Sequence, residues 1–343
     1  MICAFRFSRK AHPYLQVACM KGSFFMNVLL TGAFGNIGSS TLQELVRQGQ
    51  TVRCFDVQTK KNAVRAQKLA QQYTFETIWG DIRNAEQVNA AVQGQDIIIH
   101  LAFMIPPDVD AHPEQARAVN VDGTLNILKA AQQASPRPKF LFGSTLDLFG
   151  PTQKLLPPRT VNDPIMATDA YTEHKLLCET EIQKSGLEWA IFRFADVPPL
   201  EPRQPHPVMF EIPLDTRFEM VHTHDVGLAI ANGIKSPIWG KIWLIGGGKS
   251  CQVYYRDYLN RSLQAAGIKP LPERAFTTQE YCTDWLDTTE SEALLHYQRH
   301  NFDEIMTDLA KVNAPPTPVR FILPLVAPLV QQQMLKMSAH YKK

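Results

Sequence analysis

The sequence predicts an α/β chain built on a doubly wound parallel sheet, and three observations carry that prediction. Short β-branched runs alternate with amphipathic stretches of helical length from residue 26 to about 197. The turn after the first run is rich in glycine, "TGAFGNIGSS". After a proline-dense interruption, "KIWLIGGGKS" (241–250) supplies one further strand and turn. With 343 residues, 45% hydrophobic and 20% charged, the chain can bury a sizeable core.

Taken in order, "MNVLL" (26–30) is the first strand and "NIGSSTLQELVRQG" (36–49) a helix stopped by Gly49. "TVRCFDV" (51–57) is a second strand, followed by a Lys/Gln/Ala helix through about residue 72. "FETIWGD" (75–81) and "NAEQVNAAVQG" (84–94) make the next strand–helix pair. "DIIIHLAF" (96–103) is a buried strand leading to a long helix over 113–134. "KFLFGST" (139–145), "DAYTEHKLLCETEIQKSG" (169–186) and "LEWAIFRFADV" (187–197) complete the alternation. These units define a dinucleotide-binding (Rossmann) domain over 26–196 with a returning strand near 241–246. The segment "VPPLEPRQPHPVMFEIP" is loop, and 197–343 is mainly a smaller substrate-binding region with helical patterns through about 311.

A net charge of +2 argues against a nucleic-acid partner held by bulk electrostatics. Cys3, Cys19, Cys54, Cys178, Cys251 and Cys282 show no C-x-x-C pair or metal-ligand spacing, which suits reduced thiols in a cytoplasmic protein. The longest apolar run, "FILPLVAPLV" (321–330), is too short for a membrane span and is expected to pack on the body or on a partner. Residues 1–25 hold Arg6, Arg9, Lys10 and Lys21 but no acid; they read as a disordered extension or as a start assigned upstream of Met26.

Gly32, Gly35 and Gly38 stand where the first strand gives way to the first helix. A helix N-terminus offers unpaired N–H groups and a partial positive charge, and missing side chains let a pyrophosphate approach the backbone. The expected ligand is therefore a dinucleotide. Asp56, ending the second strand, suits the adenosine ribose hydroxyls and repels a 2′-phosphate, which favours NAD; Lys60 and Lys61 leave NADP open. Asp81, followed by Ile82 in "GDI", either meets the adenine edge or caps the next helix.

"YTEHK" places Tyr171 and Lys175 one helical turn apart on one face. A tyrosine working as a base near neutrality needs its pKa brought down from ~10, and a nearby ammonium pushes that way. Ser144 and Thr145, at the end of the fifth strand, offer a hydroxyl opposite Tyr171.

Together "TGAFGNIG", "GDI", "HLAF", "NVDGT", "GSTLDLFG", "YTEHK" and "VHTHDV" resemble the extended short-chain dehydrogenase/reductase family, also called NAD-dependent epimerase/dehydratase, over roughly 26–250. The resemblance implies Tyr171 as acid/base, Lys175 on the nicotinamide ribose, and Thr145 as the catalytic hydroxyl with Ser144 as fallback. It also places Asn36 and Ile37 along the phosphates, Leu101 and Ala102 beside the cofactor, and Asn120 on the nicotinamide side; Asp81 and Ile82 are counted with the cofactor-binding residues. Phe149 stands where the family usually has tyrosine. The arginine that nucleotide-sugar members carry seven residues before Asp225 falls on Phe218, with Arg217 one place away. The loop between Arg193 and His222 is also short for a nucleotide-sugar pocket. His222 and His224 read as packing residues, with no metal expected.

The resulting expectation is an NAD(P)-dependent oxidoreductase acting on a small alcohol or carbonyl substrate. The alternatives are a nucleotide-sugar epimerase or dehydratase, and a non-catalytic NAD(P)-binding regulatory or assembly module. The helices over 113–134 and 169–186 suit pairing with a second copy of the chain.

Overall fold

In the computed structural model, residues 25–314 and 317–341 are described, with the backbone alone over 317–325. The expected extension, residues 1–25, falls outside them apart from Phe25, as do Cys3 and Cys19.

Seven strands form one parallel sheet in the order β3-β2-β1-β4-β5-β6-β8. They are β1 (Asn27–Thr31), β2 (Thr51–Asp56), β3 (Glu76–Trp79), β4 (Ile97–His100), β5 (Lys139–Thr145), β6 (Trp189–Phe194) and β8 (Lys241–Ile245). The helices between them are α1 (Asn36–Arg47), α2 (Lys60–Ala70), α3 (Ala85–Val92), α4 (Asp108–Ala111), α5 (Pro113–Arg117), α6 (Gly123–Gln133), α7 (Ala170–Lys184) and α8 (Thr223–Gly233). The expected parallel sheet and its late returning strand are both present.

Central strands buried on both faces read as continuous apolar runs, and their side chains divide by the two-residue period. Val28, Leu30, Ile97 and Ile99 join α1 and α8 in one core, while Leu29, Ile98, Phe140 and Phe142 join α3, α6 and α7 in the other. Helix α8 crosses α1 so closely that a Cβ on Gly227 would lie 2.6 Å from the Ser40 carbonyl carbon. The Ser40 and Thr223 hydroxyls bond across that contact at 3.1 Å.

Two features differ from expectation. The helix expected over 113–134 contains a π turn at Ala118–Asp122, which rotates Asn120 inward. The region after 197 holds a small antiparallel pair, β7 (Arg217–Glu219) with β9 (Gln252–Tyr254), too short to show a period in sequence. With α9 (Tyr255–Ala265), α10 (Thr289–Leu295), α11 (Phe302–Asn313) and α12 (Thr317–Leu335), this pair surrounds the region's own core around Phe210, Tyr255, Leu259 and Ile305. Helix α12 runs through Pro324 and Pro328; Val330, Met334 and Leu335 pack on that core, whereas Leu329 is exposed. No described helix is long and apolar enough to cross a membrane.

Candidate active site

β2 and β3 lie to one side of β1, and β4 with the later strands to the other. Ligands bind at such a switch point, beyond the carboxyl ends of the strands. A crevice of about 600 Å³ opens there.

One wall is the glycine turn. Gly32 has φ +64°, and a Cβ on it would lie 2.7 Å from the Ala102 nitrogen, so Leu101 and Ala102 force this glycine. A Cβ on Gly38 would lie 2.1 Å from the Gly32 carbonyl oxygen. Gly35 is different: it is exposed, its Cβ would meet only the Gly32 oxygen at 3.2 Å, and it lines the crevice. Two of the three glycines thus serve the backbone itself, and Gly35 keeps space in front of it. Helix α1 has no side-chain cap, so its first N–H groups face the crevice. Asn36 donates to the Val197 carbonyl at 3.1 Å, tying the turn to the segment after β6; Ile37 also lines the crevice.

At the far end of β2, Asp56 accepts from the Phe34 and Val57 amides, both at 2.8 Å, and from Asn62 at 3.1 Å. Burial outweighs these bonds and raises its pKa. Arg65 bonds the Phe34 carbonyl and pairs with Glu201, which also holds Lys61 at 2.7 Å. Arg65 and Glu201 gave no sequence signal because their partners lie far along the chain.

Five expected cofactor residues lie outside the lining of the crevice: Asp56 at the end of β2, Ala102, which packs toward the core shared with α3, α6 and α7, and Asp81, Ile82 and Asn120. Asp81 is engaged by the neighbouring Arg83, whose hydrogen bonds depress its pKa. Ile82 is buried against Gly123 in the core. Asn120 is fully buried, clamping the Met104 amide and carbonyl at 2.6 and 2.9 Å.

The opposite wall carries Tyr171, Lys175, Ser144 and Thr145. Strand alternation separates the two hydroxyls. Ser144 points back to α7 and donates to Glu179 at 2.6 Å, where Arg193 also binds at 3.0 and 2.7 Å. Thr145, whose hydroxyl accepts the Asp147 amide at 3.2 Å, lines the crevice together with Tyr171. Phe149, in the family's tyrosine place, lies 5.5 Å beneath the Arg193 guanidinium.

Lys175 donates to the Gly143 carbonyl at 2.6 Å and lies 3.6 Å from the Phe103 ring centre. Burial lowers its pKa to about 7. The expected direction for Tyr171 is reversed: burial first, then Asp147, raise its phenol, and Thr145 alone lowers it. Lys175, 5.8 Å from the tyrosine ring centre, is held by Gly143 instead.

Asp147 and Asp196 are lining residues that sequence reasoning passed over. Both lay inside quoted motifs, two residues beyond Thr145 and Phe194. Burial raises Asp147 to about 8 and Asp196 to about 6. The folded chain therefore holds protons there that the unfolded chain releases near 3.8, so this stability contribution is full at low pH and is lost as pH rises through about 6 and about 8. Asp147→Asn should gain thermal stability relative to wild type as pH rises from about 5 to about 8, then level off. Melting temperatures measured across that range check this, and a pH-independent difference counts against it.

His222, Asp225 and His300 bring ligand-type atoms within 4.8 Å of one another. His222 Nδ1 accepts the His224 amide at 3.1 Å as the cap of α8, which leaves the proton on Nε2. Asp225 accepts His300 Nδ1 at 2.6 Å and the amides of Arg299 and His300. The group clamps α8 to the loop before α11.

A parallel sheet with a capless glycine turn facing a Tyr/Lys pair across a crevice is the arrangement that the resemblance to short-chain dehydrogenases/reductases leads one to expect. Residues 29–188 match the family model for the 3-beta hydroxysteroid dehydrogenase/isomerase family. A 3-beta-hydroxysteroid dehydrogenase of Mycolicibacterium neoaurum is 30% identical over 157 residues, 44% of this chain and 41% of that protein. A CDP-paratose 2-epimerase of Salmonella typhi is 30% identical over 129 residues, 36% and 38% of the two chains. This chain spans about two-fifths of the length of these curated relatives. Among solved structures, the UDP-glucose-4-epimerase of Stenotrophomonas maltophila, which has bound NAD, superposes with TM-score 0.71 at 19% identity. That match covers 84% of this chain and 98% of the epimerase. The dTDP-glucose 4,6-dehydratase of Streptomyces venezuelae gives 0.69 at 22% identity, over 83% and 96% of the two chains. Residues 29–188, just under half of the chain, thus resemble the 3-beta hydroxysteroid dehydrogenase/isomerase family, and the solved structures share the chain's fold.

Proposed function

We propose that this protein is an NAD-dependent oxidoreductase that interconverts an alcohol and a carbonyl compound. The observation that carries the proposal is the placement of Tyr171 and Thr145 across one crevice from Gly35 and the open start of α1. The fit to a dinucleotide rests on that cradle and on Asp56 at the end of β2, a poor neighbour for a 2′-phosphate. Bound NAD would supply hydride transfer. Gly35, Asn36, Ile37 and the α1 amides would hold its phosphates, and Leu101 would line its path.

Tyr171, kept protonated by its surroundings, is suited to donate a proton to the carbonyl oxygen during reduction, with Thr145 sharing that oxygen. Lys175, seated on the Gly143 carbonyl, would hold the nicotinamide ribose of bound NAD. Ser144 is a positioning residue through Glu179. Exposed Leu125 on α6 and Leu177 on α7 support pairing of two copies through that face.

Nucleotide-sugar chemistry is less well supported. Arg217 is bound by Asp284 at 2.6 and 2.9 Å and by the carbonyls of Thr152, Gln153 and Leu155, and Phe218 is buried.

Fluorescence titration should show NADH binding at least about tenfold tighter than NADPH. Binding of neither overturns the proposal. Gly35→Ala and Gly38→Ala separate the roles of the glycines. The second should cost about 1–3 kcal/mol of stability, and the first should weaken NADH binding with little change in melting temperature.

A further inference from the structure

Two carboxyls, Asp147 and Asp196, line the inner end of the crevice. Asp147 lies in the turn after β5, and Asp196 lies just beyond β6. Asp196 accepts the Thr283 hydroxyl at 2.9 Å through one oxygen, leaving its other oxygen available. Neither carboxyl has an ion-pair partner among the described residues. Of the cations lining the same space, Lys175 is held on the Gly143 carbonyl and between aromatic rings, and Arg203 is exposed on the rim. Asp110 adds a further acid there, while His206, Tyr171 and Tyr281 complete the titratable lining. The remaining wall is apolar, formed by Ile105, Pro106 and Val208 among others.

Resting on the oxidoreductase proposal above, we infer that Asp147 and Asp196 fix the substrate class. The crevice takes an uncharged or cationic alcohol or carbonyl compound, whose hydroxyl or amine groups donate to Asp196 and exchange hydrogen bonds with the Asp147 carboxyl, and rejects phosphate-bearing substrates such as nucleotide sugars. Two acids with no paired cation form a poor host for a diphosphate, which needs arginine, lysine or converging amides. The protein's own carboxyls already respond to this enclosure by keeping their protons to higher pH, and a diphosphate has no such escape near neutrality. Arg217, one place in sequence from where nucleotide-sugar members carry an arginine, is internally bonded.

The test uses the full chain and begins with NADH titration of wild type and of Asp147→Asn/Asp196→Asn. Failure of wild type to bind NADH removes the underlying proposal, whereas the following step addresses the carboxyls alone. With NADH saturating, UDP-glucose and inorganic pyrophosphate are titrated by calorimetry. Wild type should bind neither at about 1 mM, and the double variant should gain at least about tenfold for one or both. UDP-glucose binding to wild type in the micromolar range overturns the inference, as does a folded, NADH-binding double variant with no gain for either probe. Asp196→Glu, which keeps the charge, should continue to reject both; if the double variant does not fold, the gain is read from Asp196→Asn alone.

Discussion

Tyr171→Phe should retain NADH binding and the wild-type melting temperature while turnover of any accepted alcohol or carbonyl compound falls by about 10²–10⁴-fold. The ring keeps its edge contact with Phe103, whose centre lies 5.9 Å away, so packing changes little. Only the phenolic oxygen is removed, together with the proton that burial, Asp147, Asp169 and Asp196 hold on it. The measurement is absorbance of the reduced nicotinamide under matched cofactor saturation. Unchanged turnover with intact NADH binding would leave the tyrosine without a chemical role and favour a non-catalytic binding module.

A second large effect is expected at Glu179, which lies outside the chemistry. Its carboxylate is 1% exposed and accepts from Ser144 and twice from Arg193, itself 3% exposed. Replacing it by alanine leaves a buried guanidinium without its counter-charge, a change that costs about 3–5 kcal/mol. At ~2–4 °C per kcal/mol, Glu179→Ala should melt roughly 10 °C or more below wild type. An apolar pair at both positions, Glu179→Met with Arg193→Met, should recover much of the loss, because the single deletion suffers from an unpaired charge rather than from a missing attraction. Differential scanning calorimetry checks both variants; equal losses in the two would refute this account.

The fold was legible because its main determinants are local. Apolar runs, glycine stops and the β1–α1 turn each lie within a dozen residues, and the structure reproduces the strand–helix alternation. Tyr171, Lys175 and Thr145 were equally legible, since one helical turn and one strand end place them together. What escaped depended on distant partners. Nothing near Ser144 announces that Glu179 takes its hydroxyl, and nothing near Lys175 announces that Gly143 holds the ammonium away from Tyr171. Asn120, Asp81 and Ile82 matched their motifs in identity, yet the π turn, Arg83 and Gly123 decide where their side chains go. Asp147 and Asp196 were visible as letters, but their consequence comes from a shared enclosure that no spacing encodes.

The crossing of α8 over α1 also bears on how the chain is made. The side of α1 that meets α8, at Ser40 and Gln48, stays uncovered until a helix more than 170 residues later reaches it, and β8 comes later still. A nascent chain released after β6 would therefore lack the partner of that side of α1 and leave β6 as an unpaired edge, although every residue of its glycine turn had already been synthesised. Truncation at the apparent boundary near residue 196 should therefore yield an aggregating fragment rather than a smaller stable domain.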